Sequence, residues 1–149
     1  MFWHEYAKIP RHASQNPIAE GDFSWILTRN CEGTEQLRNF FIKPVCYRYF
    51  IIVETANDGV ACIDMVEKAE ADYYKMILMD IQMPVMNGYD ATLAIRKMKD
   101  TKKARIPIVA MTANAFAEDI QNVLSVGMND HVAKPVDMNI LVSTMMKYL

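Results

Sequence analysis

Three apolar runs, each stopping at a chemically useful side chain, constrain this sequence more than any other feature. Met76-Ile77-Leu78-Met79 stops at Asp80, Ile106-Pro107-Ile108-Val109-Ala110-Met111 at Thr112-Ala113, and His131-Val132-Ala133 at Lys134-Pro135. The first two are unbroken and apolar, as suits strands buried on both faces, the third reads as a short strand, and stretches of helical spacing separate them, which predicts a β-α-β-α-β series. In open parallel sheets the C-terminal strand ends converge on one crevice, where ligands bind. A carboxylate, a hydroxyl and an ammonium gathered there suit a phosphoryl group, as nucleophile, hydrogen-bond donor and cation. Taken alone, Asp80 reads equally well as a loop or helix cap. The two other strand ends tip the balance.

The neighbouring segments fit an alternating α/β chain. Tyr49 to Ala56 is β-rich and leads into a turn at Asn57-Asp58-Gly59. Val60 to Ala71 carries apolar residues at 63, 66 and 69, which predicts an amphipathic helix. Asn87-Gly88 opens a helix through Met98, with Ala91, Ile95 and Met98 on one face. Lys97, Lys99, Lys102 and Lys103 read as a solvated face and exit loop. A further helix spans about Glu118 to Val126, closed by Gly127, and Asp137 caps a last one running to Leu149. Such alternation predicts a parallel sheet covered on both faces.

Composition excludes several classes of function. A chain of 149 residues with a formal net charge of -2 is long enough for a core and is no basic nucleic-acid binder. No apolar run approaches a membrane span, and Glu5, Lys8 and Pro10 do not fit a secretory signal, so cytoplasmic residence without a membrane partner is the expectation. Cys31, Cys46 and Cys62 lack metal or disulfide spacing and read as small buried hydrophobes. The twelve methionines read as core filling rather than a metal-binding stripe. Ten of the fifteen aromatics lie in the first fifty residues. This divides the chain into an atypical segment, 1–48, and a second region, 49–149.

The second region resembles the receiver domain of two-component response regulators, in the variety attached to hybrid sensor histidine kinases. Four stretches carry the likeness: Val53-Glu54-Thr55-Ala56-Asn57-Asp58-Gly59, Ile77 through Gly88, Pro107 through Ala115, and Gly127 through Pro135. The resemblance implies a flavodoxin-like three-layer sandwich around a five-stranded parallel sheet, with an atypical first β-α unit. It also implies that Asp80 accepts a phosphoryl group from a histidine kinase or phosphotransfer domain. Thr112 would bond a phosphoryl oxygen, Lys134 would pair with Asp80 and then with the phosphoryl group, and small Ala113 would leave room. Pro135 would follow a cis peptide, and Pro84 and Gly88 would shape the loop after Asp80, although ordinary turn chemistry also explains both. His131 stands where the family often has an aromatic switch that moves with Thr112; a hydrogen-bonded strand histidine is the plainer reading. Mg2+ would be held by Asp80, the Gln82 backbone carbonyl and a pair of adjacent acidic residues ending the first strand. Apart from self-catalysed phosphotransfer and dephosphorylation, no enzymatic activity is implied.

That acidic pair is not recognisable. Phe23-Ser24-Trp25-Ile26-Leu27-Thr28 offers a substitute strand, with Thr34 capping a helix that carries Leu37, Phe40 and Phe41, and Pro44 breaking the chain after it. The strand runs into Arg29-Asn30-Cys31-Glu32, a poor magnesium site, while Glu20 and Asp22 precede it. Were the middle strand missing, the opened sheet would invite a homodimer; Arg29 in place of a metal is a further alternative. The competing function is a receiver-like interaction module that accepts no phosphate. A haloacid-dehalogenase-type phosphatase would need an aspartate at position 82, where glutamine stands, and a flavodoxin-like carrier would need a phosphate loop that is absent. The end at Leu149 is expected to leave no DNA-binding effector after the last helix.

Overall fold

The computed structural model describes residues 24–28, 52–113 and 116–148. In chain order the elements are β1 (Ser24–Thr28), β2 (Ile52–Ala56), α1 (Gly59–Lys68), β3 (Tyr74–Asp80), α2 (Gly88–Arg96), α3 (Thr101–Ala104), β4 (Ile108–Thr112), α4 (Ala117–Ser125), β5 (Asp130–Ala133) and α5 (Met138–Met145). All strand pairings are parallel, in the order β2-β1-β3-β4-β5. The order reverses direction at β1 and β3, and a doubly wound sheet opens its ligand crevice at such a reversal.

Alternation along the strands sorts the core into two faces. Ile77 and Met79 of β3 and Ile108 and Ala110 of β4 pack with Cys62 and Val66 of α1, Ala91 and Ile95 of α2, and Val123 of α4. Met76, Leu78, Val109 and Met111 are buried on the other side, where α5 lies against β5 and buries Leu141 and Met145. Each fully buried aliphatic chain contributes roughly 1.5–3 kcal/mol. That same burial pushes the Cys62 thiol up to about 12, with Asp58 adding to the shift, which makes it an inert core residue.

Side-chain caps fix where the helices begin. Asp58 accepts from Ala61 N, Asn87 from Asp90 N, Asp100 from Lys102 N and Lys103 N, and Asp137 from Asn139 N and Ile140 N. Gly127, at φ +93°, ends α4 with Met128 N bonded to the Val123 carbonyl. Several elements are shorter than the sequence predicts. Strand β4 begins at Ile108 rather than Ile106, because Pro107 has no N–H; its carbonyl still accepts from Ile77 N at 2.8 Å. Helix α2 stops at Arg96 and α5 at Met145, each passing into tighter turns. The expected lysine loop contains a helix, α3, which Asp100 nucleates. Its Lys102 pairs with Asp72, and Lys103 Nζ donates to the Glu67 carbonyl.

Two clusters tie the sheet together away from the strand ends that carry Asp80, Thr112 and Lys134. The Tyr73 and Tyr74 hydroxyls both donate to the Glu54 carboxylate, linking β3 to β2 across β1. At the N-terminal ends of β4 and β5, Arg96 donates to the carbonyls of Gly127 (2.7 Å), Ala104 (2.8 Å) and Ile106 (2.9 Å) and to Asn129 Oδ1 (3.0 Å). Asn129 Oδ1 also accepts from Ile108 N at 2.9 Å, so one amide serves both the arginine and the first residue of β4. Partial burial draws the Arg96 guanidinium below its usual value.

Candidate phosphoacceptor site

Asp80 is the last residue of β3 and only 1% exposed. Its register partner is Met111, which puts Thr112, the last residue of β4, one step further along the neighbouring strand. On the far side of β4, Ala133 pairs with Thr112, and Lys134 follows. The three groups named by the sequence therefore sit at adjacent strand ends.

Hydrogen bonds draw two of them together. Lys134 N donates to the Thr112 carbonyl at 2.7 Å, fixing the backbone. The lysine side chain then reaches inward, with Nζ 2.7 Å from Asp80 Oδ2. The Lys134–Pro135 peptide is cis, as the resemblance implies. Asp80 Oδ1 accepts from Gln82 N at 3.0 Å. Thr112 Oγ1 is buried with no hydrogen-bond partner among the described residues. A buried orphan hydroxyl costs about 1–3 kcal/mol, so an incoming oxygen acceptor would relieve a standing penalty.

The loop after Asp80 is held tightly. Gly88 N donates to the Ile81 carbonyl at 3.0 Å, and a Cβ on Gly88 would lie 2.3 Å from the Asp80 carbonyl oxygen, so only glycine fits. Thr92 Oγ1 donates to the Gly88 carbonyl at 2.8 Å, and Gly59 N to the Met86 carbonyl at 3.3 Å. At the tip, Val85 has φ +66° and is 85% exposed. Such a conformation is strained for a β-branched residue. Pro84, Ala113 and Pro135 are exposed around the same rim. His131 pairs with Ala110 in β5 and is half-buried, its Nδ1 3.9 Å from Asp130 Oδ1. No described contact joins it to Asp80, Thr112 or Lys134.

Sequence reasoning gave Gln82 a role through its carbonyl; its N–H in addition donates to Asp80 Oδ1, where the loop turns back over the carboxylate. It missed Arg96 and Asn129 altogether. Their partners lie 8 to 33 residues away from Arg96 in sequence, beyond any local pattern.

The described residues do not fit a magnesium site. They bring one carboxylate, Asp80, to the ends of β3, β4 and β5, and no group of three His, Cys, Asp or Glu side chains that could hold a metal is present among them. The acidic candidates Glu20, Asp22 and Glu32, and Arg29 as a metal substitute, lie outside the described residues, as do the expected helix at Thr34 to Phe41 and both Cys31 and Cys46.

A doubly wound parallel sheet with an Asp–Lys pair and a buried hydroxyl at its C-terminal strand ends defines an α/β protein with a candidate ligand site there. Residues 34–146 match the response regulator receiver domain family, and the chain belongs to it. Histidine kinase 1 of Arabidopsis thaliana is 48% identical over 73 residues, covering 49% of this chain and 6% of that protein. Hybrid signal transduction histidine kinase B of Dictyostelium discoideum is 40% identical over 108 residues, 66% of this chain and 5% of its own length. The chain thus spans under a tenth of these relatives. Among solved structures, the receiver domain of the sensor histidine kinase PA1611 from Pseudomonas aeruginosa PAO1 superposes with a TM-score of 0.68 at 32% identity. The match covers 85% of this chain and 97% of that one, whose active site cleft holds a magnesium ion. The receiver of Ssk1 from Saccharomyces cerevisiae, crystallised with the phosphotransfer protein Ypd1, shares the fold with a TM-score of 0.73 at 21% identity, over 85% of this chain and 88% of that chain. No helix among the described residues is long and apolar enough to cross a membrane.

Proposed function

We propose that this chain is a phosphoacceptor receiver in a two-component phosphorelay. It would rest on a three-layer sandwich of five strands, with residues 1–48 supplying the first β-α unit. An Asp80 oxygen attacks the phosphorus of a phosphohistidine, an O–P bond forms as the P–N bond breaks, and the imidazole leaves. Lys134 then shifts from Asp80 to the phosphoryl oxygens, and the Thr112 hydroxyl gains the acceptor it lacks. The added charge pulls on the segment after Thr112 and biases α4, β5 and α5 toward a second arrangement. The donor is a histidine kinase or phosphotransfer domain, as in the Ypd1–Ssk1 complex. The chain turns over no other substrate, acts in the cytoplasm, binds neither nucleic acid nor membrane, and can pair with a second copy.

The observation carrying this reading is the 2.7 Å Lys134–Asp80 pair beside a buried hydroxyl with no partner. The second reading, an interaction module that accepts no phosphate, draws its support from the single described carboxylate at the site. Incubation with acetyl phosphate, followed by intact mass, separates the two. One added phosphoryl group on the native chain and none on Asp80→Asn is expected. Equal labelling of both proteins would refute Asp80 as the acceptor, and no labelling of either would leave the interaction module.

A further inference from the structure

We infer that Asp80 and Lys134 form a self-neutralised phosphoryl site that recruits no divalent cation. The inference rests on the phosphoacceptor reading for its chemistry, but its cation half is tested separately.

Mg2+ is held by one or two carboxylates, with waters and phosphate oxygens completing its shell, and a second carboxylate near Asp80 would have to come from the ends of adjacent strands. Mg2+ takes its oxygens at about 2.0–2.1 Å in an octahedron, so the donors must lie within roughly 3 Å of one another. On one side, β4 ends in Met111 and Thr112. Beyond it, β5 leads into Lys134, whose ammonium already lies on Asp80. On the other side, β1 ends in Ile26-Leu27-Thr28, with Leu27 opposite Leu78 and Thr28 opposite Ala56. The sequence after Thr28 reads Arg-Asn-Cys before the first acidic residue, Glu32. The carboxylate just past β2, Asp58, is two strands from Asp80, roughly 10 Å at ordinary strand spacing. It is also engaged in capping α1, with Oδ1 2.8 Å from Ala61 N.

Charge leads to the same result. In direct contact, the described charges are the Asp80 carboxylate and the Lys134 ammonium, and these two cancel. A dication approaching Asp80 meets the Lys134 ammonium with no surplus negative charge to offset the repulsion. An arriving phosphoryl group, in contrast, is anionic, and is met by Lys134, the Gln82 N–H and the unpartnered Thr112 hydroxyl. Among the described residues, the site offers an anion three groups and a metal one carboxylate.

Two measurements on the full chain test this. Titration of Mn2+, as a spectroscopic stand-in for Mg2+, is read by loss of the free-ion electron paramagnetic resonance signal. Acetyl phosphate labelling is compared in EDTA and in Mg2+. The expected result is no saturable Mn2+ binding at millimolar metal and labelling within about twofold in the two buffers. Thr28→Asp/Arg29→Asp, which adds a carboxylate at the last residue of β1 and another at the next position in sequence, should acquire saturable Mn2+ binding that Asp80→Asn removes. Thr28→Asp alone serves if the double variant does not fold by circular dichroism. Saturable Mn2+ binding by the native chain that is lost in Asp80→Asn would overturn the inference, as would labelling abolished by EDTA. Failure of the folded β1 variants to gain binding would overturn the assignment of the deficit to that strand end. Should no labelling occur in either buffer, the phosphoacceptor reading fails while the Mn2+ result still decides the cation.

Discussion

Asp80 and Arg96 are charged side chains at opposite ends of the same sheet, and their surroundings differ in one respect. Arg96 gives its protons to three backbone carbonyls and one side-chain amide, so its neighbourhood is satisfied within the fold. Asp80 is paired with Lys134, but beside them Thr112 Oγ1 is buried and unspent. A fully satisfied polar hub serves stability, whereas a buried group left over points to something that arrives later. The contrast separates structural from functional charge without appeal to likeness.

The largest expected effect lies in the loop after Asp80. Gly88→Ala puts a Cβ 2.3 Å from a backbone oxygen, and we expect a loss of 3 kcal/mol or more, on the order of severe overpacking, by urea denaturation. Next comes the hub. Arg96→Ala strands the carbonyls of Gly127, Ala104 and Ile106, and should destabilise by about 2–3 kcal/mol, because exposed edges regain water. Acetyl phosphate labelling of the folded fraction should be unchanged. A labelling defect there would break the distinction between the two ends.

Thr112→Val sharpens the comparison because its sign is unusual. Removing a buried hydroxyl that has no partner should leave stability unchanged or raise it by about 1 kcal/mol, while slowing phosphoryl uptake. A clear drop in Tm would mean that the hydroxyl already has a structural role. The smallest effect concerns Asp130. Burial alone would raise its carboxyl, but the His131 N–H and the Lys147 ammonium outweigh this and hold it below the usual carboxylate range. A lowered folded value contributes stability that is full above the unfolded pKa of about 3.9 and is lost as pH falls through the folded one. Asp130→Asn should therefore lower stability near neutral pH by only a few tenths of a kcal/mol, given solvent screening. The difference should shrink as pH falls through the lowered folded value and vanish once that carboxyl is protonated, which acid melts would show.

The strand ends at Asp80, Thr112 and Lys134 were legible because each closes a strand-like run, and parallel pairing follows from alternation. The helix starts at Asn87 and Asp137 and the turn at Gly127 were equally visible, since their chemistry is local, whereas Asp58 was legible only as a turn residue and caps α1 in the structure. Helix α3 was not, because four residues carry no periodicity and its lysines resemble any solvated turn. Arg96 was hidden for a different reason. Its meaning lies in carbonyls contributed by three separate turns, and a carbonyl has no sequence signature. The orphaned Thr112 oxygen was invisible too, because sequence names a hydroxyl without saying whether anything bonds it.

Trapping the phosphorylated chain with borohydride tests the central claim most directly, since reduction of an aspartyl phosphate leaves homoserine at the acceptor position. Peptide mapping after acetyl phosphate treatment should find homoserine at position 80 and nowhere else. Reduction at any other carboxylate, or at none while the phosphoryl group stays bound elsewhere in the chain, would contradict the account.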